Sequence, residues 1–301
     1  PYVLKEMLAT READRAKAAA EFDRAFWGHV RFTVANGARA LVTGLTGARF
    51  VDVPANVAPE ARGYYRALTR FAAAFAFLAD VSMLVLGGEL KRREKLSARL
   101  GDILSMLYLA SAALKRYEDE GRQQADRPLL DWSVQDALFR AQTAFEGVLE
   151  NFPARAVAAV LRRFVFPLGK PARAPADRLG QKVARLATEP SATRDRLTAG
   201  MFIAKGEADI VSTLEAALDA TVKAEAVEAK IRAAAKEKRI AGRSAEELVQ
   251  AAVAANVVSA AEQAILARAA KLRDQVVRVD DFPQDFGAAE AAKPAKHRAA
   301  A

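Results

Sequence analysis

Apolar residues recur every three or four positions along most of the chain, the spacing that places them on one face of an α-helix. The clearest run lies between Glu89 and Arg122, where the recurring apolar residues are Leu96, Leu100, Ile103, Leu107, Leu114 and Tyr117. Such a seam predicts a long helix that packs against other long helices. Strand signals are nearly absent, because the β-branched residues are scattered and no Asn-Gly or Asp-Gly pair joins two alternating apolar runs.

Two more long helices are predicted upstream of this seam. The first runs with an interruption from Pro1 to about Ala40, and its apolar residues are Leu4, Leu8, Phe22, Phe26 and Val30. We expect Gly44 and Gly47 to break it. The second runs from Tyr64 to the glycines at 87 and 88, and its apolar stripe is Leu68, Phe71, Phe75, Leu78 and Val85. Phe77, Val81 and Leu84 form another apolar face, which predicts neighbours on more than one side.

The downstream half begins with a further helix after Pro128, whose inward residues are predicted to be Val134, Leu138, Phe145, Val148 and Phe152. A short helix follows Pro153 and ends at "RRFVFPLG". Later helices are expected to be shorter. Two capping boxes mark their starts, Ser244 with Glu247 and Ser259 with Glu262. The apolar stripe of the last helix is Ile265, Ala269, Leu272, Val276 and Val279.

Two proline-containing stretches suggest the domain boundaries, "VDVPANVAPEARG" from Val51 and "KPARAPAD" from Lys170. The predicted regions are a helical segment over 1–53, a bundle core over 60–169, additional helices over 170–286 and a tail over 287–301. The tail lacks large apolar residues, which predicts disorder. The fold class is therefore an all-α, multi-helix bundle of long antiparallel helices with a disordered C-terminal tail.

Composition agrees with this reading. Of 301 residues, 52% are hydrophobic and only 7% aromatic, so much of the apolar content is alanine, which favours closely packed helices. The absence of cysteine fits a reducing compartment, and we expect a cytoplasmic location. The most apolar stretch, from Phe71 to Leu86, contains Asp80 and is shorter than the ~20 residues that cross a bilayer. It is interpreted as a buried core helix. Because the first residue is Pro1, we expect an excised piece of a longer protein.

The chain carries a net charge of +9, which suits a nucleic acid, an anionic membrane or a phosphate-bearing ligand. Basic residues are interleaved with acids, as in "KAEAVEAKIRAAAKEKR", and aromatic residues are not set among them. Nucleic acid is therefore not expected as a partner. The helices around Lys223 to Arg243 are the candidates for peripheral contact with the inner membrane.

Candidate chemistry is sparse. The chain has two histidines, His29 and His297, and no cysteine, so no metal site is predicted and no catalytic residue is assigned. His29 is interpreted as structural, and neither phosphate-loop pattern occurs. Asp80 and Asp102 stand out in apolar helices, where each is expected to be a buried acid paired with an arginine, the alternative being a general base. The basic cluster of Lys91, Arg92, Arg93, Lys95 and Arg99 is interpreted as a solvated face, the alternative being an anion site.

Four segments resemble one family. They are "PYVLKEMLA" at the start, "GHVRFTVANGARALVTGLTG" from Gly28, "ADVSMLVLGGELKRREKLSARLGDILSMLYLASAALKRYEDEGR" from Ala79 and "NFPARAVAAVLRRFVFPLG" from Asn151. They are similar to the C-terminal part of the large bacterial long-chain acyl-CoA dehydrogenases of the FadE type, including a C-terminal helical domain of unknown function. The resemblance covers essentially the whole chain and is most specific from about Arg62 to Gly169.

This resemblance implies a FAD-dependent enzyme of fatty-acid β-oxidation. In that family a glutamate takes the α-proton of an acyl thioester while the β-hydrogen leaves as hydride to FAD. The glutamate, the flavin-binding strands and the acyl-binding helices would lie upstream of Pro1. Glu6 does not match the catalytic motif and receives no catalytic role, and no residue of this chain is assigned to the cofactor.

The resemblance also implies partners. Residues from about Glu60 onward would pack on the upstream dehydrogenase core, which binds the acyl-CoA substrate, and the full protein is expected to form a homodimer. The hypothesis is therefore a structural and assembly role within an acyl-CoA dehydrogenase, the fragment alone being inactive. The alternative is a free-standing basic helical adaptor that binds a protein, a membrane surface or a nucleic acid.

Overall fold

The computed structural model describes residues 2–204 and 209–278, and within these residues it has twelve α-helices and no strand. The helices are α1 (Tyr2–Ala9), α2 (Arg15–Thr46), α3 (Arg62–Leu86), α4 (Glu89–Arg92), α5 (Glu94–Asp119), α6 (Arg127–Asn151), α7 (Arg155–Val165), α8 (Asp177–Thr188), α9 (Ala192–Thr198), α10 (Ile210–Lys236), α11 (Ala245–Ala254) and α12 (Ala260–Val277). The prediction of an all-α bundle of long antiparallel helices is confirmed.

The helices form two compact units, Pro1–Arg185 and Leu186–Ala301, and the division falls inside α8. In the first unit, α5 and α6 pack as an antiparallel pair joined by a short link that contains the 3₁₀ turn Gln124–Asp126. Helices α3 and α7 lie against this pair. The buried side chains include all six predicted seam residues of α5 and, on α6, Val134, Leu138, Phe145 and Val148.

Helices α2 and α3 pack against each other in antiparallel fashion. Thr33 on α2 meets Asp80 on α3, and further along the pair a Cβ built at Gly37 would lie 2.9 Å from the ring of Phe77. Small residues on α2 permit this close approach because they leave room for the side chains of α3. The ring of Phe77 also packs on Phe164 of α7, with centroids 5.1 Å apart.

The first predicted helix has the expected interruption and differs from the observed helices at its C-terminal end. The interruption lies between α1 and α2, where Asp14 caps α2 by accepting from the backbone N–H groups of Ala16 and Lys17. Gly44 does not break α2, which continues to Thr46 and ends at Gly47 in the left-handed conformation, with φ of 60°. Glycine is favoured at such a C-cap because it has no Cβ to clash.

Among the described residues, one helical stretch, Pro59–Leu86, is long and apolar enough to cross a membrane by length and composition alone. The helix is therefore longer than the apolar run Phe71 to Leu86 suggests. Phe71 and Leu78 are buried in the core of the first unit. Met83, Leu84 and Val85 near the end of the helix are exposed, so the interpretation as a buried core helix holds for one face of the stretch and not for its C-terminal end.

The second unit contains α9 to α12, and α10 packs against α12. Its apolar core is formed by Val227, Ile231, Ala234, Ile240, Ala252 and Val258. Helix α10 has 27 residues, so the expectation that all later helices are short is wrong. Ser259 and Glu262 form the predicted capping box, whereas Glu247 accepts from the N–H of Arg243 and not of Ser244. Val279 and the predicted tail lie outside the described residues.

Candidate functional site

Three helices of the first unit meet at His29. Its Nδ1 lies 3.0 Å from Oε1 of Glu6 on α1, and its Nε2 lies 3.8 Å from Oδ1 of Asp80 on α3. The other Asp80 oxygen accepts a hydrogen bond of 3.0 Å from the hydroxyl of Thr33. The ring of Tyr2 stacks on the imidazole with centroids 5.7 Å apart. The group formed by Glu6, His29, Thr33 and Asp80, here called the His29 cluster, joins α1, α2 and α3.

The His29 cluster resembles a proton relay in its residue types, since it places an imidazole between two carboxylates. All three ionisable side chains are partly buried, with 18 to 23% of each side chain exposed. Two hydrogen bonds join its members, His29 with Glu6 and Thr33 with Asp80, and the longer contact of His29 with Asp80 links the two pairs into one packing network. The partners of Asp80 are a threonine and a histidine, so the predicted arginine partner is wrong.

Asp102 is not the buried acid that was predicted. Its neighbours Ile103 and Leu100 are buried, but Asp102 is one position off the seam and is exposed on α5. A helix turns by about 100° per residue, so adjacent positions can lie on opposite sides of the core boundary. Neither a buried ion pair nor a general base is formed there.

The predicted basic cluster lies at the start of α5 and just before it. Lys91, Arg92, Arg93 and Lys95 are exposed, and Arg93 pairs with Glu89 one turn away at 3.1 Å. Arg99 is half-buried because its side chain lies over Gly147 of α6. The cluster is mainly a solvated face, and its cations do not converge on one point.

Two polar networks at one end of the core have no counterpart in the sequence analysis. The hydroxyl of Tyr64 donates to Asp131 at 2.8 Å, and Asp131 also pairs with Arg127. The hydroxyl of Tyr117 donates to Glu60 at 2.9 Å. Burial is the largest cause that raises the pKa of Tyr64 and the pKa of Tyr117, each to about 12. The partners are more than fifty positions apart in sequence, so no local pattern could reveal them.

The outer side of α2 is apolar and exposed. Trp27, Val30, Val34, Leu41 and Leu45 recur every three or four residues away from the α3 side, with Ala38 between them. Trp27, Val34 and Leu45 are 65%, 64% and 50% exposed. These five residues are called the outer stripe. At its first end the rings of Phe22, Phe26 and Trp27 lie against one another, with successive centroids 6.1 and 5.5 Å apart. A soluble protein rarely exposes such a continuous apolar surface without a partner for it.

The sequence matches the family described as "Acyl-CoA dehydrogenase, C-terminal, bacterial type" over residues 1–282. The chain belongs to this family. It is therefore the C-terminal helical part of an acyl-CoA dehydrogenase, as the resemblance of its four segments implied. No solved structure matches the chain. Family membership favours the dehydrogenase part over the free-standing adaptor, because the family is defined as a region of that enzyme.

Acyl-CoA dehydrogenases are generally FAD-dependent. A dinucleotide is held by backbone N–H groups and unpaired cations around its pyrophosphate. One open groove of the first unit, about 730 Å³ beside Tyr65 and Tyr108, contains Lys115 and Arg116. These two cations pair with Asp119 and Glu120 of the same helix, so the groove does not fit FAD.

Metal ligands are likewise not gathered in the acyl-CoA dehydrogenase C-terminal part. Across residues 2–204 and 209–278, no group of three or more His, Asp or Glu side chains is arranged to hold a metal ion. The His29 cluster has two carboxylates and one imidazole, but they are engaged with one another and with Thr33. His297 lies outside the described residues.

Proposed function

We propose that this chain is the structural and assembly part of a FAD-dependent enzyme that oxidises acyl-CoA to trans-2-enoyl-CoA in fatty-acid β-oxidation. The catalytic glutamate and most of the flavin site belong to the dehydrogenase core, which precedes the family's C-terminal region in sequence. The single observation that carries the proposal is the outer stripe on α2, an apolar surface on a domain whose family is part of a larger enzyme.

The dehydrogenase core is the occupant that fits the outer stripe. Within the matched residues 1–282, α1 and α2 are the helices that come first, and the proposed core precedes them in sequence. The stripe extends from Trp27 to Leu45, and burying it against another apolar surface would be favourable by about 25 cal/mol for each Å² removed from water. The His29 cluster fixes α1 and α3 to α2 and so keeps this surface in one shape.

Hydrogen exchange tests this assignment in the full-length enzyme and in the isolated 301-residue chain. We expect α2 to exchange more slowly in the full-length enzyme, and Val34→Asp to abolish the difference. Leu104→Asp is the matched control, because Leu104 is 55% exposed on α5 and lies outside the stripe. Equal exchange of α2 in both proteins would refute the docking role.

The isolated chain is expected to have no dehydrogenase activity. The purified chain is mixed with FAD, palmitoyl-CoA and an artificial electron acceptor, and turnover is compared with that of a boiled sample. Retention of yellow colour after desalting measures flavin binding separately. Turnover above the boiled control, or a yellow protein, would contradict the assignment of the active site to the upstream core.

A further inference from the structure

Arg70 lies on the side of α3 that faces α2 and is buried, with 8% of its surface exposed. Its guanidinium makes no hydrogen bond and no ion pair within the part of the chain that the structure describes. Burial lowers the pKa of Arg70, and no carboxylate contributes an opposing effect. An arginine side chain keeps its proton in proteins, so a positive charge lies here without an ion-pair partner, on a side chain that is mostly buried and reaches water only in part.

The packing around Arg70 does not require a charged side chain. Residues that flank Arg70 on α3, among them Phe71, Ala73 and Ala74, are buried in the apolar core of the first unit. An aliphatic side chain of similar length could pack there without the free-energy cost of taking an unpaired charge out of water. The uncompensated charge therefore points to a negative group that comes from outside the described residues.

The ends of two helices lie near the guanidinium but do not satisfy it. One of its terminal nitrogens is 3.8 Å from the position of a Cβ at Gly44, close to the C-terminal end of α2. The ring of Pro167, just beyond the end of α7, packs on the same glycine. Helix C-termini carry a partial negative charge. No carbonyl oxygen of either end accepts a hydrogen bond from Arg70, so these dipoles offset the charge only in part.

Arg66 adds a second cation with unmet donors. It lies one helical turn before Arg70 on α3, and residues at this spacing share one face of a helix. The Nε of Arg66 is buried and has no hydrogen-bond partner. Two arginines, each with five N–H donors, thus lie one turn apart on α3, and no described residue accepts a hydrogen bond from either of them.

We propose that Arg66 and Arg70 form a binding site for a phosphate monoester. Planar guanidinium groups bind phosphate oxygens through paired hydrogen bonds. A phosphate monoester carries close to two negative charges at neutral pH, which matches two cations, whereas a single carboxylate would leave one of them unpaired. The exposed part of Arg70 gives a small anion access. The phosphate comes either from inorganic phosphate or from a nucleotide-bearing ligand such as CoA, whose ribose carries a phosphate monoester.

The site is tested on the 301-residue chain by thermal unfolding and by calorimetric titration with inorganic phosphate. We expect phosphate to raise Tm above the value in chloride at equal ionic strength, because a ligand that binds only the folded state stabilises it. Arg70→Met should weaken phosphate binding about tenfold or more, since it removes charge-assisted hydrogen bonds. Arg66→Gln should weaken it in the same direction.

Arg39→Gln is the matched control, since Arg39 lies on the neighbouring helix and already donates to Asn36. It should leave phosphate binding unchanged. Arg70→Met should unfold in phosphate-free buffer at or above the temperature of the unsubstituted chain. If it unfolds earlier, the charge serves the fold itself and the proposal is wrong. It is equally wrong if phosphate and chloride have the same effect on Tm, or if Arg39→Gln loses as much binding as Arg70→Met.

Competition identifies the source of the phosphate. CoA and dephospho-CoA are each added to the chain in the presence of inorganic phosphate. Displacement by CoA and not by dephospho-CoA assigns the site to the phosphate monoester on the ribose of CoA. Displacement by neither supports free phosphate as the ligand. These arms do not depend on dehydrogenase activity, so the phosphate site and the proposed enzyme function can fail separately.

Discussion

The ring of Pro167 lies directly over Gly44 of α2, so that a Cβ built at Gly44 would be 2.6 Å from Cγ of the proline. The proline side chain is closed onto its own backbone nitrogen, so it has no other rotamer that would move Cγ away from Gly44. Gly44→Ala should therefore destabilise the chain by about 1–2 kcal/mol, because overpacking costs about 1–3 kcal/mol and the gain in helix propensity returns at most ~1 kcal/mol. Urea unfolding of both proteins measures the difference.

Gly101 provides the control for this prediction. It lies on α5, is exposed, and a Cβ there would meet no atom within 4 Å. Gly101→Ala should stabilise the chain by about 0.5–1 kcal/mol through helix propensity alone. A Gly44→Ala variant that gains stability as Gly101→Ala does would show that α7 does not hold Pro167 against α2.

The two glycines show what the sequence could and could not predict. The period of the apolar residues was sufficient to place α3, α5 and α6 and their buried faces, because a helix repeats every 3.6 residues whatever it packs against. The sequence pattern placed the end of α2 too early, because a glycine within a helical pattern is usually interpreted as a helix breaker. The contact that makes Gly44 suitable inside a helix comes from Pro167, more than a hundred positions away.

Removal of the imidazole should loosen α1. His29→Ala loses the 3.0 Å contact with Glu6 and the stacking on Tyr2. We expect a loss of about 1–2 kcal/mol, the size of one partly buried hydrogen bond and one aromatic contact. Hydrogen exchange should become faster in Tyr2–Ala9. Lys17→Ala, which breaks the exposed pair with Glu12, should leave α1 unchanged. Equal acceleration in both variants would mean that His29 has no special part in holding α1.

Polar partners were the weakest part of the sequence-based reading. The apolar setting of Asp80 correctly indicated a partly buried acid, yet its partners, His29 and Thr33, come from another helix. Asp102 looked similar in sequence and is exposed. Hydrophobic periodicity reports which face is buried, but the identity of a polar partner depends on how helices are placed beside each other, which one sequence does not state.

Two of the five tyrosines should titrate late. The pKa of Tyr64 and the pKa of Tyr117 are each raised to about 12, mainly by burial. Because the folded-state pKa is raised above the ordinary value of 10.0, the folded state is penalised progressively as pH rises above that value. Ultraviolet titration should show two phenols ionising near pH 12, and Tyr64→Phe should remove one of them. If the Tyr64→Phe variant still shows two phenols that ionise near pH 12, the assignment of one of them to the buried Tyr64 is wrong.

Acid should weaken the cap of α12. Hydrogen bonds from Lys230, then from the backbone and side chain of Ser259, lower the pKa of Glu262 from 4.5 to about 2. A lowered folded-state pKa gives a stabilisation that is present above 4.5 and is lost as pH falls towards about 2. Glu262→Gln should therefore lower Tm at neutral pH, and its difference from the unsubstituted chain should shrink over that interval. Glu225→Gln, an exposed acid on α10, is the control; a constant difference for Glu262→Gln would rule out titration of this group.

Contact with an anionic membrane is expected to be electrostatic and to involve the turn after α10. Four apolar residues were expected near a membrane, namely Val222, Val227, Ile231 and Ile240. The last three are buried in the core of the second unit and only Val222 is exposed, so insertion is not expected. Within α10, Lys223 pairs with Asp219. The surplus of basic residues lies at the last residue of α10, Lys236, and just after it, at Lys238, Arg239 and Arg243, of which Arg239 pairs with Glu237.

Each basic residue near an anionic surface contributes about 1 kcal/mol, and salt screens this attraction. The chain should therefore sediment with anionic vesicles at low salt and be released at high salt. Reversing two charges in Lys238→Glu/Arg243→Glu should weaken vesicle binding about tenfold or more. Lys95→Glu, on the exposed face of α5, should have a smaller effect, because its charge belongs to a different surface. Binding to vesicles that persists at high salt would contradict the electrostatic mechanism. If the double variant and Lys95→Glu lose vesicle binding equally, the net charge of the chain governs the contact and not this turn.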